Sequence, residues 1–246
     1  MRLAKAQPVI DLQVGKHAGI ISHVIMTAGG CSTALDSFPM LGLDPITLVS
    51  RLITLVIALT FHEFAHAWSA TRYGDDTPYI MGRLTLNPLR HLDIVGSLML
   101  VVVGFGWAKP VPVNPVALER KSHSAFLWVS LAGPFSNFLL AIAASLIFRV
   151  LAGATGGGVD YFLYEFITIN LLLWIFNLIP IPPLDGEKLL LYFLPGSAAP
   201  FYAKYRQFGP LLLVALVVLL PFLGLDLFGS VISPFINQFT LFLMGV

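Results

Sequence analysis

Cysteine is almost absent from this chain. Cys31 stands alone among 246 residues, so no disulfide can close within the chain and a cysteine-based metal site is excluded. Charge is scarce too: 11% of residues are Asp, Glu, Lys or Arg, against about 25% in a typical soluble domain. The net charge of +1 points to no particular partner, and no nucleic-acid ligand is expected. Repeats and low-complexity tracts are also missing. What the chain has in abundance is apolar residues, 57% of the total, with a mean hydropathy of +0.85. These values describe an integral membrane protein.

A helix crossing the bilayer needs about 20 apolar residues. Five segments meet or approach that length: 44–70, 124–152, 161–183, 208–225 and 227–246. A further run, 94–106 (IVGSLMLVVVGFG), is shorter and interrupted by glycine. A short re-entrant or strand-like segment near 82–113, packed against protein, fits it better than a span. The expected fold is an all-α polytopic membrane protein with about five to six transmembrane helices. Residues 1–39 read differently. Their weak apolar stretch, 18–28, is interrupted by Ser22 and His23, which favours an interfacial or mobile leader over a cleaved signal peptide. The expected division is a leader, 1–39, and a membrane-embedded domain, 40–246.

Lys and Arg are distributed unevenly between the connections. Residues 71–123 hold Arg72, Arg83, Arg90, Lys109, Arg120 and Lys121, and residues 184–207 hold Lys188, Lys204 and Arg206. The opposite connections, 153–160 and 226, hold none. The first set is therefore expected on the cytoplasmic side. Arg51 and Arg149, near the other helix ends, are expected to snorkel outward.

Within this apolar background the stretch FHEFAHAW, 61–68, places His62, Glu63 and His66 where polar groups are costly. One turn separates the histidines, so both imidazoles share a helix face, a spacing that suits one zinc ion. Glu63 is not needed as a ligand and is free to act as a base. A catalytic zinc takes a third protein ligand. Asp185 is the strongest candidate, because NLIPIPPLDG, 177–186, breaks its helix at Pro180, Pro182 and Pro183. Topology puts this break at the same end of the bundle as the histidines. The bland alternative for Asp185 is a capping residue in an exposed loop. AGPFSN, 132–137, is either a helix start followed by a kink or a site where the Asn137 amide donates to a carbonyl oxygen in the transition state. His91 and His123 read as interfacial, Asn177 as an amide satisfying backbone near the broken helix, and Asp75 and Asp76 as turn residues.

Together with GRLTLNPLRHLDIVGSL (82–98) and GFGWAKPVPVNP (104–115), these motifs resemble the site-2 protease family of intramembrane zinc metalloproteases, in its compact form without a PDZ domain. The likeness runs from about residue 40 to 208. It implies that His62, His66 and Asp185 bind one Zn²⁺, that Glu63 is the catalytic base, and that Asn137 lies near the scissile peptide. It implies a zinc metalloendopeptidase of the cell membrane, with a catalytic core over about 44–208 and its site towards the cytoplasm. The implied substrates are transmembrane proteins, such as single-span anti-sigma factors. Residues 1–39 have no counterpart in that resemblance. Two other classes compete: a divalent-metal transporter using the same ligands, and a non-catalytic membrane scaffold. Oligomeric state is not legible.

Overall fold

A computed structural model describes residues 44–103, 106–151, 157–195, 197–226 and 228–245. The expected leader, 1–39, and Cys31 lie outside the described residues. Helix α1 (Pro45–Arg72) begins firmly. The Asp44 carboxylate accepts from the N–H groups of Ile46 and Thr47 at 3.0 and 3.1 Å, and Pro45 sits in the first turn, where its missing donor has no helical partner to lose. Thr47, Ser50, Thr54, Ala58, His62, His66 and Ala70 recur every three or four residues and are all buried. Ile46, Val49 and Ile53 face outward. Small and polar groups point in while branched apolar groups point out. That is the reverse of a soluble helix, and it suits a helix packed among helices in lipid.

The connection to α5 (Ala125–Leu151) contains α2 (Thr77–Ile80), a 3₁₀ turn (Pro88–Arg90), α3 (Ile94–Val103) and α4 (Pro115–Lys121). The strand-like alternative for 82–113 is not taken: residues 94–103 of the 94–106 run are helical. Among the described residues, extended pairing is confined to one antiparallel bridge, Leu92 with Ala108, beside which the Lys109 N–H donates to the His91 carbonyl at 2.7 Å. The run has no polar–apolar alternation, and a helix satisfies its backbone internally where water is scarce.

Helix α5 packs against α1 and against α6 (Gly157–Asn177). Ala141, Ala144 and Phe148 of α5 meet Leu163, Phe166, Ile167 and Leu171 of α6 in the main core; the alanines let the backbones approach closely. At one end of the bundle Arg51 makes a two-point ion pair with Glu165, at 2.9 and 3.3 Å. Tyr161 joins it, donating to Glu165 at 3.1 Å and sharing a 2.8 Å bond with Thr47. Arg149 donates to the carbonyls of Leu243 and Phe242 at 2.7 and 3.0 Å. Both arginines expected to snorkel thus hold protein partners, one as a clamp and one as a helix C-cap.

Helix α6 stops at Asn177, as the prolines dictate. The chain descends in short turns, with Ile179 N–H donating to Phe176 and Leu184 N–H to Ile181 at 3.1 and 2.9 Å. A Cβ on Gly186 would strike the carbonyls of Leu178 and Ile179, so the tightness of this turn requires glycine. Then follow α7 (Gly186–Phe193) and α8 (Ala199–Arg206).

The expected spans 208–225 and 227–246 are helical over 209–222 and 228–244, each with a π-helical stretch beside a proline. The first is α9 (Gly209–Val214), a π-helical turn (Ala215–Leu219) and α10 (Leu220–Phe222). The second is another π turn (Phe228–Ile232) and α11 (Ser233–Met244). Pro221 and Pro234 stand at the starts of α10 and α11 and remove helical donors there. Among the described residues, α1, α5 and α6 are the helices long and apolar enough to cross a membrane.

Candidate metal centre

The three helices bring the predicted ligands together. The Nε2 atoms of His62 and His66 lie 3.1 Å apart, and each lies 3.1 Å from Oδ2 of Asp185. The histidines are buried and Asp185 nearly so. Asp185 is therefore not an exposed cap. It arrives from the broken end of α6, and Lys188 Nζ donates to its other oxygen at 2.9 Å.

The outer bonds fix which ring nitrogens carry protons. His66 Nδ1 faces the Val129 carbonyl at 2.7 Å. A carbonyl only accepts, so Nδ1 bears a hydrogen, and in the neutral ring Nε2 keeps the lone pair. His62 Nδ1 faces Asn137 Oδ1 at 2.7 Å, which gives the same outcome. With both rings neutral, two lone pairs and a carboxylate oxygen converge at 3.1 Å with no donor among them. Three acceptors so placed repel one another unless a cation lies between them. Zinc bonded at its usual lengths to N and O ligands separates them by roughly 3.3 Å in a tetrahedron, close to the spacing seen. Gly133 of α5 completes the fit: a Cβ there would fall on the Nε2 atoms of both histidines. These residues, His62, His66 and Asp185, can hold a metal ion.

Glu63 stands outside that group. Its Oε2 accepts from the Val111 N–H at 2.9 Å, and the side chain is buried. Arg83 lies nearby and donates to the Lys109 carbonyl; burial pulls its guanidinium below its usual value while the Glu63 carboxylate opposes this. The segment that carries Val111 is tied down by Asp75, which accepts from the N–H groups of Thr77 and Asn114 at 3.0 and 2.6 Å. Asp75 is thus a buried clamp and more than a turn residue. Its sequence signal was weak, because its second partner is a distant backbone donor.

Asn137 is fully buried. Its oxygen accepts from His62 and its amide donates to Asn170 Oδ1 at 3.2 Å. The structure therefore brings Asn137 to the metal group as a partner of His62. His91 is fully buried, its Nε2 on the Thr85 carbonyl at 2.7 Å. The His123 ring lies 5.4 Å from that of Tyr192, tilted by 40°. Asn177 donates to the Leu173 carbonyl at 2.9 Å, as its position beside the break suggested.

Comparison with known proteins bears directly on this centre. The sequence model of peptidase family M50 matches residues 152–220, the part that holds Asp185. The protein YwhC of Bacillus subtilis is 38% identical over 182 residues, covering 71% of this chain and 83% of its own length. This chain belongs to peptidase family M50, the site-2 proteases. Rip2 of Mycolicibacterium smegmatis is 33% identical over 190 residues, 71% of this chain and 70% of its own. Rip2 of Mycobacterium tuberculosis is 32% identical over 183 residues, 72% of this chain and 69% of its own. The names of all three class them with zinc metalloproteases. No solved structure matches the chain. The M50 protein described here is a membrane-embedded zinc metalloprotease, and its buried acceptor triangle has the chemistry that zinc requires.

Proposed function

We propose that this M50 protease hydrolyses peptide bonds in or near transmembrane segments of membrane proteins, with His62, His66 and Asp185 as zinc ligands and Glu63 as general base. The observation that carries this reading is the meeting of three buried acceptor atoms between helices long and apolar enough to cross a membrane. Zinc, when bound, supplies the Lewis acidity that brings the pKa of a water near 7 and polarises a carbonyl.

The chain's own residues supply the rest. Glu63 follows His62 directly yet stays out of the ligand triangle, so its carboxylate is free to take a proton from the attacking water. As the C–N bond breaks, that proton passes from Glu63 to the leaving amine nitrogen. The Val111 N–H holds the carboxylate in place meanwhile. Asn137 keeps the His62 ring turned toward the metal. Its amide hydrogen not given to Asn170 would serve the scissile carbonyl. A transporter would leave Glu63 with no chemical task, only its bond to the Val111 N–H.

The Lys/Arg asymmetry supports a cell-membrane protein with its site towards the cytoplasm. The family resemblance favours single-span regulators, anti-sigma factors among them, as substrates. Comparative membrane proteomics of cells carrying the wild type or Glu63→Gln tests the proposal. Single-span fragments should accumulate in the mutant. Identical membrane proteomes under conditions where the wild-type protein is made would count against it.

A further inference from the structure

We propose that Asn170, on α6, is a positioning residue that sets the tautomer of His62 through Asn137, although it touches none of the three metal-facing groups. The proposal rests on reading His62 as a metal ligand. A directed chain of hydrogen bonds carries it. The Phe166 carbonyl can only accept, so the nitrogen of the Asn170 amide must face it, at 2.8 Å. That turns Asn170 Oδ1 toward Asn137, whose nitrogen donates to it at 3.2 Å. Asn137 Oδ1 is thereby aimed at His62 Nδ1, 2.7 Å away. His62 must then carry a proton on Nδ1, and its neutral ring keeps the Nε2 lone pair for the metal. An amide is otherwise ambiguous, since its two ends are nearly the same shape. Here a backbone carbonyl one helix away fixes the direction of every member.

Both asparagines are fully buried. An unpaired buried amide is costly. Without Asn170, the Asn137 nitrogen has no acceptor on that side and rotates toward His62 Nδ1. That ring nitrogen then becomes an acceptor, the proton moves to Nε2, and the metal loses a lone pair. His66 has no such relay, because its Nδ1 sits directly on a backbone carbonyl.

The test is zinc affinity, measured by chelator competition on the purified full-length protein, with the absorption spectrum of the Co²⁺-substituted protein as a second readout. Asn170→Leu keeps the volume and removes the acceptor; zinc affinity should fall by about 10–100-fold, the usual cost of losing an outer partner of a ligand. Asn170→Asp still accepts from Asn137, so affinity should return to within a few-fold of the wild type. In an Asn137→Ala background, Asn170→Leu should cost nothing more, since both changes cut the same chain. Should Asn170→Leu not purify folded, Asn170→Ser gives the same reading, its hydroxyl being too short to reach Asn137. Wild-type affinity and an unchanged Co²⁺ spectrum in Asn170→Leu overturn the relay. So does an equal loss in both backgrounds, or an Asp variant as weak as the Leu variant. His62→Ala separates the two levels. Undiminished zinc affinity there removes the ligand reading itself, whereas lost affinity there with none lost in Asn170→Leu removes the relay alone.

Discussion

Gly133→Ala is the most exacting perturbation of the metal group. In an ordinary helix interior the change stabilises by about 1 kcal/mol. Here the added Cβ would lie 2.6 Å from His62 Nε2 and nearer still to His66 Nε2. Carbon atoms settle against their neighbours at roughly 3.5–4.0 Å, so each ring must retreat by about 1 Å. A metal site tolerates only about 0.2 Å in its bond lengths. The obstructed atoms belong to side chains, which can rotate away, so the bundle should survive while the triangle opens. The expected result is a zinc affinity lowered by more than about 100-fold, since two ligands are disturbed and a single lost outer partner alone costs 10–100-fold. Thermal stability measured in chelator should stay within about 1 kcal/mol of the wild type. Chelator competition and a melt on one detergent preparation give both numbers. Normal zinc affinity in Gly133→Ala means that the rings do not stand against α5 as described, and the fit argument for the metal falls with it.

The other expectations concern ligands, topology and the leader. His62→Ala, His66→Ala and Asp185→Ala should each lower zinc content from about one ion per chain, measured by elemental analysis; full occupancy in Asp185→Ala moves the third ligand elsewhere. Residues 71–123 and 184–207 should be cytoplasmic, tested by labelling single cysteines in a Cys31→Ser background. Labelling of position 120 from outside intact cells would invert the orientation. A chain beginning at Met40 should still bind zinc and cleave substrate; loss of folding would make residues 1–39 part of the bundle.

Much of this was readable in advance, for identifiable reasons. The three long helices follow from apolar length, and His62 with His66 from the turn of a helix. Asp185 followed because three prolines can only break α6 near the bundle end where the histidines lie. The partners of the rings were harder to read. Val129 offers a backbone carbonyl, which no side chain advertises, and it is reachable because Gly133, one turn on, has no Cβ over it. Asn170 looked like any polar residue in a span, since its meaning depends on how α6 is rotated against α5. The strand-like shape suggested for 82–113 came from a short run interrupted by glycine, which does not separate a strand from a short helix. The final spans were drawn from hydropathy, which does not register that Pro221 and Pro234 interrupt the backbone bonding.

The most direct test of the mechanism compares the wild type with Glu63→Gln for zinc content and for cleavage of a membrane substrate in the same preparation. Glu63 lies outside the ligand triangle, so zinc should remain at the wild-type level. Cleavage should fall by about 10²–10⁴-fold, the usual cost of losing a general base. Cleavage at the wild-type rate would contradict the assignment of Glu63. Loss of zinc from the mutant would contradict its place outside the metal group. Metal flux into proteoliposomes that depends on His62 and Asp185, with no cleavage by either protein, would replace the protease reading with a transporter.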